Sequence, residues 1–283
     1  MKPKLVTVTS GRTNILRHHI NHYKDSVSDI FVILYKNDNS PKNIIEEVED
    51  LLKEFGLKLF QIKNHRPNDW VELSRFYNLT KYLHPNDWWI IADDDEFHVY
   101  WKNIEEIIAE CEENNWQYVS GGFLDRVGID GVFPEIKPDS NLWELFPMAG
   151  YYGFLTSGAC PNKVTLCKGH VEVTIGQHYA KENGERIGPK KLNHPWRYPV
   201  HSFFTQVHHF KWDESVVGRI KNINLQKTRY SCPQIYQKMY ETISNNNFKI
   251  NVNDPKFMFH NSPSSNYYSY PYWNKVSNRI MRS

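Results

Sequence analysis

Apolar and polar positions alternate along the first hundred residues in blocks of changing period. Residues 5–9 form a short apolar run closed by Ser10-Gly11, and the next segment places Ile15, Leu16, Ile20 and Tyr23 on one side, so a strand and then a helix are predicted. The continuous apolar run IFVILY at 30–35 predicts a strand covered on both faces. A second helix has Ser40 as predicted N-cap, Pro41 in the first turn, a stripe of Ile44, Ile45, Val48, Leu51, Leu52 and Phe55, and Gly56 as its stop. Strands at 57–62 and 88–92 and a helix at 70–83, ended by Pro85, complete the series. Strand and helix in strict alternation predict a doubly wound parallel sheet.

Beyond residue 100 the pattern loosens. Ile104, Ile107, Ile108 and Cys111 mark a helix, and strands are predicted at 116–123, 163–168, 171–179 and 200–210, with helices at 213–225 and 233–244. Residues 124–150, with irregular Gly, Pro and Asp, read as a long loop of the kind that carries function.

Composition narrows the classes. With 34 Lys+Arg against 32 Asp+Glu, nothing supports a surface that coats nucleic acid. Four widely spaced cysteines without a CxxC pair signal neither a disulfide framework nor structural zinc, and a reducing compartment is expected. The chain lacks a stretch long enough for a membrane span, and the start resembles no signal peptide, so a cytoplasmic location, at most peripheral to a membrane, is expected. The excess is in rings: 17 Tyr, 15 Phe, 9 Trp and 13 His, side chains that build cores and also wall sites for sugars and bases.

Candidate chemistry gathers at predicted strand ends. Asp93-Asp94-Asp95-Glu96 follows the apolar WWIIA, where open α/β sheets bind ligands; clustered carboxylates there suit a hard divalent cation, Mn2+ or Mg2+. In Val207-His208-His209-Phe210-Lys211 strand alternation lets only one of the two histidines face that cation, and Lys211 shares the face of His209, an ammonium suited to phosphate. His178 is a weaker candidate of the same kind. Thr9, Gly11 and Arg12 end the first strand, Asp38 ends the second, and Arg75 and Asn78 lie three apart on the third helix; together they outline a cleft. The P-loop, GxGxxG, GxSxG and HExxH patterns are missing.

These blocks resemble the GT-A glycosyltransferases, in particular the family 2-like group with a DxDEF segment after the fourth strand, which here reads IADDDEF. TVTSGRTNIL, WVELSRFYN, GGFLDRVGIDGVFPEIKPDSNLWELFP and VHHFKWDESVVGR resemble further blocks of that group, over residues 5–225, although Thr13-Asn14 stands where the group has Asn-Glu. The resemblance implies a GT-A type, Rossmann-like, mostly parallel sheet flanked by helices with a smaller mixed region on the acceptor side. It divides the chain into a catalytic domain at 1–225, with a nucleotide-binding half to residue 100 and an acceptor half after it, and a C-terminal helix and tail at 226–283. The implied activity is metal-dependent sugar transfer from a nucleoside diphosphate sugar to a glycan or other hydroxyl acceptor, with inversion. Asp93 and Asp95 would hold the metal with His209; Thr9, Gly11, Arg12, Asp38, Arg75, Asn78, Asp93, Asp94 and Lys211 would contact the donor. Asp125, at the end of the strand predicted at 116–123, is the first choice of base, with Glu144 also in the loop. The alternatives are a nucleotidyltransferase or metal-dependent phosphohydrolase on a similar sheet, and a non-enzymatic carbohydrate-binding domain. The last stretch, aromatic through Tyr267, Tyr268, Tyr270, Tyr272 and Trp273 and without an acid after Asp254, is a candidate for contact with a membrane surface.

Overall fold

The computed structural model describes residues 1–37, 40–64, 70–150, 162–188, 193–199, 205–225 and 233–254. Four parallel strands form its first half: β1 (Lys4–Thr9), β2 (Asp29–Lys36), β3 (Leu59–Asn64) and β4 (Trp88–Asp93), in the spatial order β3-β2-β1-β4. Between them run α1 (Thr13–Tyr23), α2 (Ile44–Glu54) and α3 (Trp70–Lys81). The alternating strand residues separate into two faces. Leu16, Ile20, Val48 and Leu52 of α1 and α2 pack on Val32 and Leu34, and the opposite face, with Val6, Val8, Ile33, Tyr35, Trp89 and Ile91, receives Phe76 and Tyr77 of α3.

The sheet then becomes mixed. A two-residue turn separates β4 from β5 (Glu96–Val99); α4 (Ile104–Glu113) buries all four of its predicted apolar positions on the face that carries Leu5, Ile90 and Ala92. β6 (Tyr118–Val127) lies four residues longer at its end than the pattern predicts, because it continues pairing with β7 (Met148–Gly150). The predicted long loop is therefore partly ordered, with a 3₁₀ turn at Ile129–Gly131 and a short helix α5 (Leu142–Leu145), whose Leu142 and the following Phe146 are buried. β8 (Asn162–Lys168) inserts antiparallel between β4 and β6. The strand predicted at 171–179 is instead β9 (Glu172–Val173) followed by a 3₁₀ turn at Ile175–Gln177; β9, β10 (Ala180–Glu182) and β11 (Glu185–Arg186) make a small antiparallel sheet. β12 (Thr205–His209) runs parallel to β6 and antiparallel to β5. α6 (Val216–Leu225) and α7 (Pro233–Ser244) enclose a cluster with Val127 and Trp212. The result is a large curled sheet, most of its strands pointing one way, flanked by helices: the mixed α/β class expected.

Two predicted boundaries move for local reasons. Ser40 does not cap α2; its hydroxyl accepts the Asn37 N–H at 3.0 Å, and 40–43 form a turn ahead of the helix. β3 starts two residues late because the Leu57 N–H is still tied to the Leu52 carbonyl at 2.9 Å, past Gly56 in the left-handed conformation. Among the described residues no helix is long and apolar enough to cross a membrane.

Candidate active site

The acidic turn stands at the carboxyl end of β4. Asp93 closes the strand, Asp94 and Asp95 form the turn and Glu96 opens β5. Parallel pairing sets Val8 opposite Asp93, so Thr9, one residue on, reaches the turn, and its hydroxyl donates to Asp94 Oδ2 at 2.7 Å. The chain then bends at Gly11, whose φ is +95° and whose missing Cβ would lie 2.1 Å from Ile44 Cδ1. Only glycine satisfies both conditions. The bend aims Arg12 at the acids: Nη2 donates to Asp95 Oδ2 at 2.6 Å and to Asp94 Oδ1 at 3.0 Å, and Nη1 to Asp213 Oδ2 at 3.2 Å. Three largely buried carboxylates thus share one guanidinium, which overcomes the burial that opposes its charge and raises its pKa. Burial lifts the Asp94 carboxyl to about 6 against the pull of Arg12.

His209 enters from β12. Because β12 pairs with β6 on one side and β5 on the other, His209 stands opposite both Asp125 and Glu96. Its Nδ1 lies 2.8 Å from Asp125 Oδ1, and its Nε2 faces Asp95 Oδ1 at 3.5 Å. Burial opposes protonation, yet the two carboxylates outweigh it and push the imidazole up to about 9. Burial also works against the Asp95 anion, but Arg12 and His209 hold that carboxyl well below its usual range. His208 points to the other face, bonds Gln206 at 3.2 Å, and is kept neutral by burial. Lys211 lies with its ammonium 5.4 Å from the Trp212 ring centre and 5.7 Å from that of Tyr236, and burial lowers its pKa while Asp125 opposes the shift. The Phe123 ring backs His209 at 5.1 Å.

The remaining expected residues are arranged differently. Asp93 accepts from the Tyr77 hydroxyl and sits beside the buried ion pair of Glu96 and Lys163, 2.7 Å apart; burial and the charge of Glu96 raise Asp93 to about 6. Asn78 is committed to the backbone, accepting the Val173 N–H at 2.9 Å and donating to the Val173 carbonyl at 3.0 Å, so it fastens α3 to β9. Arg75 is exposed and pairs with Glu72 on its own helix, away from the acids. Asp125 does not end its strand but lies within β6, buried and engaged with His209. Glu144 is exposed on α5. The His178 Nδ1 bonds the Asn162 carbonyl at 2.8 Å, and burial depresses its pKa to about 4. Asp38 and the aromatic tail at 267–283 lie outside the described residues. Sequence reasoning missed Asp213, Arg219, Tyr77 and Lys163; an acid and a base six residues apart, as in Asp213 and Arg219, carry no signal above that of a solvated helix start.

Among the described residues no group of three or more His, Cys, Asp or Glu side chains is placed to hold a metal ion. Asp95 offers an oxygen of the kind a Mg2+-type ion takes, but His209, pushed up to about 9 between Asp125 and Asp95, would have to lose its Nε2 proton to become a ligand. Asp125 on Nδ1 fixes the ring so that Nε2 is the nitrogen offered to Asp95. The second oxygen of Asp95 belongs to Arg12.

No family model and no curated protein matches the chain. Solved structures give distant overlaps. S. aureus TarS aligns at 12% identity and a TM-score of 0.36, covering 80% of this chain and 39% of TarS, and its 1–349 fragment at 11% identity and 0.37, covering 80% and 64%. A Bacillus anthracis protein assigned as a glucose-1-phosphate thymidylyltransferase, solved with a sucrose, aligns at 12% identity and 0.28, covering 48% of this chain and 59% of that one. The chain therefore spans less than two thirds of each of these proteins. At such scores the overlaps establish neither a shared fold nor a shared chemistry.

Proposed function

We propose that the chain is a glycosyltransferase that moves a sugar from a nucleoside diphosphate sugar to a hydroxyl acceptor, with Mn2+ or Mg2+ held by Asp95 and His209. The observation that supports it is the Asp125–His209–Asp95 chain of contacts, 2.8 and 3.5 Å long, at the carboxyl end of β4 with Arg12 and Lys211 around it. A bound divalent cation would neutralise part of the negative charge that grows on the diphosphate as the glycosidic bond breaks.

The residues of the chain supply the rest. Lys211 and Arg12 bring positive charge to the leaving diphosphate in a largely buried site, where each is worth more than at the surface. Thr9, Gly11 and Asp94 shape the end of β1 toward the nucleotide, and Asp93, raised to about 6 and anchored by Tyr77, is the acid on its ribose side. Residues 1–100 form the donor half and 101–225 the acceptor half. Inversion requires a carboxylate that takes the acceptor proton while that oxygen attacks opposite the leaving group. Asp125 fills this role only by giving up its bond to His209, and exposed Glu144 is the second carboxylate to test. The tail at 267–283 is the segment for contact with a membrane surface or a lipid-linked acceptor; liposome co-sedimentation unchanged by its deletion removes that part.

The deciding experiment is isothermal titration with UDP- and GDP-sugars, with and without Mn2+, followed by donor hydrolysis. Metal-dependent binding of one donor supports the reading. Binding of no donor overturns it, and release of pyrophosphate from a nucleoside triphosphate moves the assignment to nucleotidyl transfer.

A further inference from the structure

Residues 246–253 follow α7, yet the fold lays them against the turn after β6. The Ile250 N–H donates to the Gly131 carbonyl at 2.9 Å, and a Cβ on Gly131, whose φ is +76°, would lie 1.8 Å from the Ile250 oxygen. A glycine there is what lets the two segments meet. Between them opens a pocket of about 210 Å³ with a polar lining of Asp130, Asn246, Asn247, Lys249, Asn251 and Asn253. Ile250 and Val252 complete it and belong to the buried cluster of Val127 and Trp212. β6 runs parallel to β12, and both β4 and β6 run antiparallel to β8, so the carboxyl ends of β4, β6 and β12 share one side of the sheet. Asp130 stands on that side, five residues past Asp125, beyond the end of β6 and in a tight turn closed by the Gly128 N–H on the Val132 carbonyl at 3.0 Å.

Three residues in and beside the lining hold a left-handed backbone without being glycine: Asp130 at φ +56°, Asn247 at +53° and Phe248 at +56°. Asparagine and aspartate tolerate this, whereas a phenylalanine holds it at a cost in stability, and such costs gather where ligands are gripped. Phe248 is also 47% exposed, and Ile129, next to Asp130 on the facing segment, is 64% exposed. Each segment therefore carries an apolar side chain beside polar ones. The amides both donate and accept, as sugar hydroxyls do. Among the described residues no hydrogen bond occupies the side chains of Asp130, Asn247, Lys249 or Asn253. One acid and one base leave the lining without net charge, which does not favour an anion, and a single carboxylate is few for Ca2+. The volume lies below the roughly 300–1,000 Å³ of drug-sized sites, so the pocket suits a sugar ring and not a nucleotide.

We propose that this pocket is a distal subsite for a neutral glycan acceptor, with Asp130, Asn247 and Asn253 bonding sugar hydroxyls and Phe248 and Ile129 packing on the apolar faces of the rings. Its place in a reaction rests on the glycosyl-transfer reading above, but its affinity for a glycan does not: the sugar binds without donor or metal. A chain seated here runs back past Val127 toward Asp125 and His209, so oligosaccharides bind better than single sugars.

The test is isothermal titration of the full chain, without donor or metal, with linear tetrasaccharides of glucose, N-acetylglucosamine, mannose and galactose. At least one binds, with an affinity unchanged as salt rises because the ligand is neutral. Asn247→Ala and Asn253→Ala each weaken it about three- to tenfold, the worth of one hydrogen bond. Phe248→Gly weakens it about tenfold, yet its thermal midpoint is unchanged or higher, because glycine takes the left-handed φ without strain. Arg17→Gln, which removes a charge from the surface pair with Glu54, binds as the wild type does. Binding of no tetrasaccharide by the wild type overturns the subsite; so does an affinity of Phe248→Gly and Asn253→Ala within about twofold of wild type. Calcium chloride, titrated in parallel, does not bind; Ca2+ binding abolished by Asp130→Asn makes the pocket a cation site and overturns the proposal. Metal-dependent donor binding is read separately: its absence while a tetrasaccharide binds removes the glycosyl-transfer reading and leaves the glycan subsite.

Discussion

The imidazole of His209 stands on the carboxylate of Asp125, Nδ1 to Oδ1, at 2.8 Å, with both residues drawn from adjacent parallel strands. That contact fixes which ring nitrogen is offered to Asp95. Asp125→Asn is expected to weaken metal-dependent nucleotide binding by about 10- to 100-fold, the usual cost of losing the group that orients a ligating histidine. Titration of UDP in Mn2+ checks this; unchanged affinity would remove Asp125 from the site.

Glu144→Gln separates the two candidate bases. Its exposed carboxylate carries no load in the fold, so the thermal midpoint should stay within experimental error of wild type. Donor binding should also be retained. A collapse of transfer to acceptor with intact donor binding would mark Glu144 as the base, whereas full activity leaves Asp125.

Arg12→Ala strands three carboxylates that the guanidinium now neutralises. The cost by urea denaturation should be on the order of 3–5 kcal/mol, as for breaking buried ion pairs from one side. The deficit should shrink when the pH is lowered below 6, since Asp94, about 6 even beside Arg12, then takes up a proton. A deficit independent of pH would show that packing, not charge, is what Arg12 contributes.

Gly11→Ala combines a left-handed φ of +95° with a collision against Ile44. Strain of this kind costs about 1–3 kcal/mol, and the overlap adds to it. Denaturation measures the sum, and a loss below about 0.5 kcal/mol would mean that the bend is not needed.

Five histidines with lowered pKa values make the fold sensitive to acid. Burial lowers His22 and His178 to about 4 and His98 to about 3, and keeps His19 and His208 well below their ordinary value. Above pH 6.5 folded and unfolded chains both carry them neutral. Below 6.5 the unfolded chain takes up protons that the fold refuses, so stability falls with pH until the folded values are reached. Asp93 and Asp94, both raised to about 6, and His209, raised to about 9, act in the opposite direction but are three against five. The urea midpoint at pH 4.5 should therefore lie below that at pH 7.5; an equal or higher midpoint contradicts the assignment.

The strand and helix alternation of the first hundred residues was legible because period and punctuation agree there: every apolar residue singled out on α1 is buried, as are Ile44, Val48, Leu51 and Leu52 of α2. Ser40 misled because its hydroxyl has a nearer use at Asn37. Past residue 100 the sheet is built from pairings far apart in sequence, such as β12 with β6, and period alone says nothing about partners. In the site, Asp95, Arg12 and His209 could be found because strand ends and alternation place them. Asn78 looked equivalent to them and proved to be a bracket to Val173, a contact spanning 95 residues that no local pattern encodes. The ring excess resolves mostly into core, with Trp88, Trp89, Phe97, Phe210 and Trp212 all buried.

The antiparallel insertion of β8 also has a consequence for biosynthesis. β3, β2, β1 and β4 can associate once about the first third of the chain has left the ribosome, yet the free edge of β4 has its neighbour only when β8, at Asn162–Lys168, emerges. Until then a hydrophobic strand edge, WWII, is open to pairing with a neighbouring nascent chain. Slow synthesis through residues 94–161 would prolong that exposure, and truncations ending within this stretch should aggregate where those ending beyond β12 do not.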